Sequence, residues 1–400
     1  MTNGLDYIAW RGDLSFERDP LNEVDIFLFS QLVAPDYSGI VPDDEKEISI
    51  KETADRYFEN HTEDVSNLGV LQSTSALPML KAMSESVRFG DLKLCGFVNK
   101  VNLDNEEQCC GLTVKLPGDI IFVVFRGTDD TIIGWKEDFN IATKDIVPAQ
   151  EDAVKYLEWA ASVQSGDIYI CGHSKGGNLA MYSAAMCEDS IKDRIRAVYN
   201  FDGPGFQRKF LQTENYLGMK DKITTVLSQN SIVGTLLHRA GSVLMVNSCV
   251  AGPMAHDGFN WEIVGTKFTN SDGLSDVSKT IDRAMDETLD SMETEEKQAF
   301  IDELFDTLMS TGAITVTDFT NMSVQSFLSV LKSFRGDEKV NRFVAKVSDS
   351  VVRTVKERDE ERFKEKLSET AKAGEAIKLK TQESIKAKIG GMKKPAPEEI

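Results

Sequence analysis

Between residues 94 and 246 short apolar runs recur, separated by stretches with a helical period. Segments 94–103, 108–116 and 120–125 read as three strands, with turn residues at Asp104-Asn105 and Pro117-Gly118-Asp119, as in an antiparallel meander. Ile120-Ile-Phe-Val-Val-Phe125 shows no polar alternation, which predicts a strand buried on both faces. Similar runs follow at 168–171, 195–201, 223–227 and 243–246, and helical patterns separate several of them, notably 151–163 and 178–187. This alternation predicts an α/β fold with a mostly parallel sheet flanked by helices. Ligands of such sheets bind beyond the C-terminal ends of the strands.

Outside this region the pattern changes. Residues 1–90 predict a helical and loop segment packed on the core, and 91–270 the α/β core itself. Strand signals fade after 270. Residues 294–310, closed by Gly312, then 323–334 and the chain from 337 onward carry a helical period, which makes 271–350 a helical extension. The tail, 351–400, is rich in Lys, Glu and Ala and predicts a solvated helix fraying into a disordered end.

Charge narrows the partners. Asp and Glu number 65 against 45 Lys and Arg, a formal charge of −20 over 400 residues, so nucleic acid and anionic membrane are not expected partners. From 352 to 400 the balance reverses, with 13 basic against 10 acidic residues. Peripheral membrane contact through that tail is one expectation; alternating Lys and Glu as a solvated face is the other. No run reaches the roughly 18 apolar residues of a membrane span. The N-terminus lacks a basic segment followed by an apolar one. Six cysteines without C-x-x-C spacing and four histidines argue against a metal site. There is no glycine-rich phosphate loop. The expectation is a cytoplasmic, reduced protein without metal or cofactor.

Residues 172–177, Gly-His-Ser-Lys-Gly-Gly, contain G-x-S-x-G between a predicted strand and a predicted helix. Glycines on either side of a serine permit the sharp turn that exposes a nucleophilic hydroxyl, so Ser174 is the candidate nucleophile. Its place at a helix start puts free N–H groups beside a developing oxyanion. Upstream, Phe125-Arg126-Gly127-Thr128 ends the buried strand, and Trp135 and Asp138 follow. The F-R-G-[ST] turn, the downstream W-x-x-D and the G-H-S-x-G-G elbow, in this order, resemble the class 3 lipases over about residues 90–265. The resemblance implies an α/β-hydrolase fold and a serine hydrolase cleaving an acyl ester, lipid-like or small. It also implies an oxyanion hole formed by the backbone N–H groups of Thr128 and Lys175. The Lys175 side chain is expected to face solvent, with selection of a negatively charged substrate as the alternative.

His256, in Ala255-His-Asp-Gly-Phe-Asn-Trp261, follows the last core strand and satisfies the order nucleophile, acid, histidine. His238 matches that order less well. His173, beside the serine, is expected to pack, and His61 to lie on the surface. The acid departs from the family. Where class 3 lipases carry an Asp after the seventh strand, this chain has Ser231; one strand earlier, where they read F-G-x-P, it has Phe201-Asp202-Gly203-Pro204. Neighbouring strand tips lie about 5 Å apart. Asp202 is therefore the expected partner of His256, with Asp257 and a dyad supported by Ser231 as alternatives. Segments 129–148 and 234–253 are candidate lids. The competing function is a catalytically impaired binding or regulatory protein on a hydrolase scaffold, using its helical C-terminal region.

Overall fold

The computed structural model describes residues 2–302 except 62–72, 103–105, 130, 251, 281, 284–294, 296–297 and 299–300. The helices expected at 323–334 and beyond 337, the tail 351–400 and most of 294–310 lie outside the described residues.

Eight strands form one sheet in sequential order: β1 (Ile48–Ser49), β2 (Lys93–Asn102), β3 (Glu107–Leu116), β4 (Ile120–Phe125), β5 (Asp167–His173), β6 (Ile195–Phe201), β7 (Ile223–Ser228) and β8 (Ser242–Val246). β1 to β4 pair antiparallel and β4 to β8 parallel. The sheet and its flanking helices make an α/β-hydrolase fold.

The strand order decides what must cover the sheet. Right-handed crossovers between successive neighbours put every crossover helix on the same face. Accordingly α6 (Pro148–Val163), α7 (Lys175–Met186) and α10 (Glu214–Met219) pack together on one face, against Ile121, Val123, Phe125, Ile170 and Val198. The shorter α8 (Asp189–Lys192) and α9 (Arg208–Leu211) lie in the same crossovers, and α5 (Ile132–Asn140) precedes α6. Among the described residues no crossover helix is left for the opposite face.

The N-terminal residues supply that layer through α1 (Gly4–Arg11), α2 (Glu23–Leu32), α3 (Ile50–Asn60) and α4 (Ala76–Ser84). Helix α2 reads Glu-Val-Asp-Ile-Phe-Leu-Phe-Ser-Gln-Leu, apolar on nearly all sides, and every residue from Val24 to Leu32 is buried. Phe27 meets Phe201 of β6, and also Phe259, Trp261 and Phe268, with ring centroids 5.5–5.7 Å apart. Asp25 would be an uncompensated charge in this layer. Arg88 answers it at 2.5 Å, both side chains fully buried, while also donating to the carbonyls of Leu14, Asp19 and Pro20.

A hairpin of β9 (Ile263–Val264) and β10 (Lys267–Phe268) follows the core. No helix among the described residues is long and apolar enough to cross a membrane.

Candidate active site

β5 ends at His173 and α7 begins at Lys175, so the strand-to-helix turn consists of Ser174 alone. The helix starts three residues earlier than its periodicity suggests. Ser174 has φ 57° and ψ −135°, in the region L side chains rarely adopt. Its N–H donates to the Phe201 carbonyl at 2.9 Å, and its carbonyl accepts from Gly177 N at 2.8 Å. The glycines are required by contact. A Cβ on Gly172 would lie 2.2 Å from the Gly176 carbonyl carbon, and one on Gly176 would lie 2.1 Å from the Phe125 oxygen. Standing at the N-cap of α7, Ser174 also adjoins the positive end of that helix.

Asp202 follows the tip of β6. Its N–H donates to Val226 of β7 at 2.9 Å, and φ is 52°, a conformation Asp tolerates better than most residues. Asn200 shapes the turn, accepting from Gly203 N at 2.8 Å and donating to Gly203 O at 3.1 Å. Asn178 on α7 holds the next residues through the Pro204 and Gly205 carbonyls. The result is a fully buried carboxylate whose Oδ2 lies 2.7 Å from Nδ1 of His256. His256 closes a short 3₁₀ turn, Gly252–His256, and its side chain is 21% exposed, open enough to meet a ligand. Trp261 anchors this segment: its indole N–H donates to Ala255 O at 2.9 Å while the ring is buried against Phe27.

His173 does more than pack. Its Nε2 lies 2.8 Å from the His256 carbonyl, and the two rings are 4.6 Å apart. Burial, with the neighbouring His256 adding to it, pushes the His173 pKa down to about 3, so the ring stays neutral and can donate that bond at ordinary pH. Ser174, Asp202 and His256 are thus brought together: Ser174 is bonded to the residue before Asp202, and His256 bridges Asp202 and the residue before Ser174.

Asp257, His238 and His61 are engaged elsewhere, whereas Ser231 lies near Asp202. Asp257 accepts from Ser73 Oγ at 2.8 Å and Phe259 N at 3.0 Å, capping the next turn. Ser231 is buried, its Oγ accepting from Gly234 N at 3.0 Å. His238 pairs through its backbone with Phe206. His61 is exposed, and its ring stacks on Tyr57.

Segment 126–140 approaches the elbow from β4. A Cβ on Gly127 would sit 2.8 Å from the His173 carbonyl oxygen and 3.0 Å from Ser174 Cβ, so Thr128 follows a backbone already in contact with the turn. The Arg126 guanidinium points away, to Asn99 at 2.8 Å. The hydroxyl of Thr128 donates to Asp138. Burial lifts the Asp138 pKa to about 6, against the pull of Lys175 and of the Thr128 bond.

The expectation for the Lys175 side chain is corrected. It is not solvated but buried, its ammonium 2.5 Å from Glu137 Oε2 and 3.2 Å from Gln108 Oε1. Burial alone would lower the lysine pKa, but the carboxylates of Glu137 and Asp138 outweigh it and raise it above the ordinary value. Sequence gives no sign of this, because a lone lysine beside a helix start reads as a surface residue and its partner lies on another element. Within the candidate lid 129–148 lies α5, bonded to the elbow through Glu137. The candidate lid 234–253 contributes β8 to the sheet. Glu137 and Asn200 carry no signal of these roles in the sequence.

Among the described residues no group of three or more His, Cys, Asp or Glu is gathered to hold a metal ion. The Mbeg1-like family model matches residues 83–306, more than half of the chain, and the chain belongs to that lipase-like family. No curated protein matches the sequence. Among solved structures, it is similar to M37 lipase at 16% identity, covering 44% of this chain and 65% of that one, with a TM-score of 0.31. It is also similar to the native Rhizomucor miehei lipase propeptide complex at 16% identity, covering 62% and 81%, with a TM-score of 0.30. A deletion mutant of that complex gives 15% identity, 67% and 93% coverage and a TM-score of 0.32.

Proposed function

We propose that this member of the Mbeg1-like family is a serine hydrolase that cleaves an acyl ester, small or lipid-like. The observation that carries the reading is the 2.7 Å bond between Asp202 and His256 beside a serine held at positive φ. In this mechanism Ser174 Oγ attacks the acyl carbonyl and His256 Nε2 takes its proton. Asp202 accepts from Nδ1–H, keeping the ring in the tautomer that leaves Nε2 free and stabilising the imidazolium that forms. The N–H groups of Thr128 and Lys175 receive the developing oxyanion. His256 then protonates the leaving alcohol, and water releases the acyl group by the reverse sequence.

A catalytically impaired binding protein is the competing expectation. A buried carboxylate aligned on a part-exposed imidazole supports the enzyme instead, since the departure at Ser231 is matched by an acid on the neighbouring strand. Hydrolysis of a panel of short acyl esters by wild type, abolished in Ser174→Ala, tests the reading. A folded wild type inactive on the whole panel, with and without detergent, would count against it.

A further inference from the structure

We propose that Glu137 and Lys175 are positioning residues that set the spacing of the two oxyanion donors, an inference that rests on the hydrolase reading and deepens it. Lys175 supplies one proposed donor, its own N–H, and sends its side chain back under the elbow to Glu137. Glu137 is fixed on every side: Oε2 accepts from Lys175 and from Gln108 N at 2.9 Å, and Oε1 accepts from Ala149 N at 2.9 Å. The next residue of α5, Asp138, accepts from the hydroxyl of Thr128, whose N–H is the other proposed donor. Two consecutive carboxylates on one helix therefore tie down the two residues of the oxyanion hole.

This arrangement is poorly explained by stability. A buried ion pair sacrifices the hydration of both charges, and an apolar pair of similar volume often leaves a protein equally or more stable. What the pair adds is direction. An apolar contact tolerates sliding, whereas a 2.5 Å bond to a carboxylate held by two backbone amides does not. Oxyanion donors must converge to about 2.7–3.1 Å on one developing charge, and a misplacement of about 1 Å can cost roughly 10²-fold in rate.

The test compares wild type with Lys175→Met/Glu137→Gln, using fluorophosphonate labelling, ester kinetics and thermal unfolding. The double variant removes both charges together, fills the lysine volume and keeps an amide oxygen for one of the backbone N–H groups. The expected result is a folded protein of near-wild-type Tm, with kcat reduced about 10- to 100-fold, KM within about twofold and labelling slowed in the same proportion. A folded double variant with wild-type kcat would overturn the proposal, since the pair would then serve packing only. If that variant does not fold, Lys175→Arg decides, because it keeps the buried charge but replaces the compact ammonium with a wider planar fork. Lost kcat at unchanged KM supports the proposal there, and wild-type kcat overturns it. Failure of the hydrolase reading is distinguishable: wild type itself would neither label nor turn over.

Discussion

Replacing Asp202 by Asn tests the most distinctive part of the site. The two side chains have the same shape, and Asp202 Oδ1 is buried with no hydrogen-bond partner among the described residues, so the exchange removes a buried charge without opening a cavity. Folding should survive. The chemistry should not. Oδ2 stands 2.7 Å from His256 Nδ1, a charge-assisted bond that the neutral amide cannot equal. An amide nitrogen turned toward Nδ1 would select the tautomer whose Nε2 carries the proton and cannot take one from Ser174. In serine proteases the corresponding exchange lowers kcat about 10⁴-fold, or about 5.5 kcal/mol at 1.36 kcal/mol per tenfold. For Asp202→Asn we expect a loss of about 10³- to 10⁴-fold in kcat on a short acyl ester, with Tm changed by no more than a few degrees. Turnover within a few-fold of wild type in a folded variant would refute the assignment. A second exchange sharpens the test, because Asp202 Oδ1 and Ser231 Oγ lie 2.5 and 2.8 Å from the point where a Cβ on Gly234 would stand. Asp202→Asn/Ser231→Asp should therefore recover part of the lost rate.

Three further outcomes follow from the same geometry. Because the folded His173 has a pKa of about 3 against the ordinary 6.5, the unfolded chain takes up a proton between those values that the folded one does not. Stability therefore falls as pH is lowered through that window, and His173→Gln, which does not titrate, should flatten the drop in urea midpoint between about pH 7 and pH 5; equal drops would exclude this account. At Ser174, backbone strain of order 1–3 kcal/mol should make Ser174→Gly more stable to urea than Ser174→Ala, although both are inactive; equal midpoints would show that the turn stores no strain. Gly176→Ala, whose Cβ would lie 2.1 Å from the Phe125 oxygen, should displace β4 from the elbow and lower both Tm and kcat, whereas wild-type values for both would contradict the packing described.

The apolar runs identify the strands and their parallel order because a strand buried on both faces leaves a continuous signature, as at Ile120–Phe125. The elbow is legible because glycine spacing reports backbone contact directly. Asp202 becomes a candidate through a mismatch, Ser231 standing where the resemblance requires an acid. What sequence conceals is pairing across elements. The bond between Lys175 and Glu137 joins an elbow to a helix whose pattern of polar and apolar residues is short and weak, and neither residue announces burial. That residues 1–90 pack on the core is legible, but which face they cover is not: only sequential strand order, seen in three dimensions, leaves a face that the N-terminal helices must cover. The His173 contact with the His256 carbonyl depends on where the chain returns after β8, which no local pattern encodes.

Whether Ser174 is an activated nucleophile is read out by covalent labelling with a fluorophosphonate probe. Such probes react with serines whose proton is being withdrawn by a base and ignore ordinary hydroxyls. Stoichiometric labelling of wild type and none of Ser174→Ala is expected. A folded wild type that stays unlabelled, or labelling that persists in Ser174→Ala, would contradict that expectation.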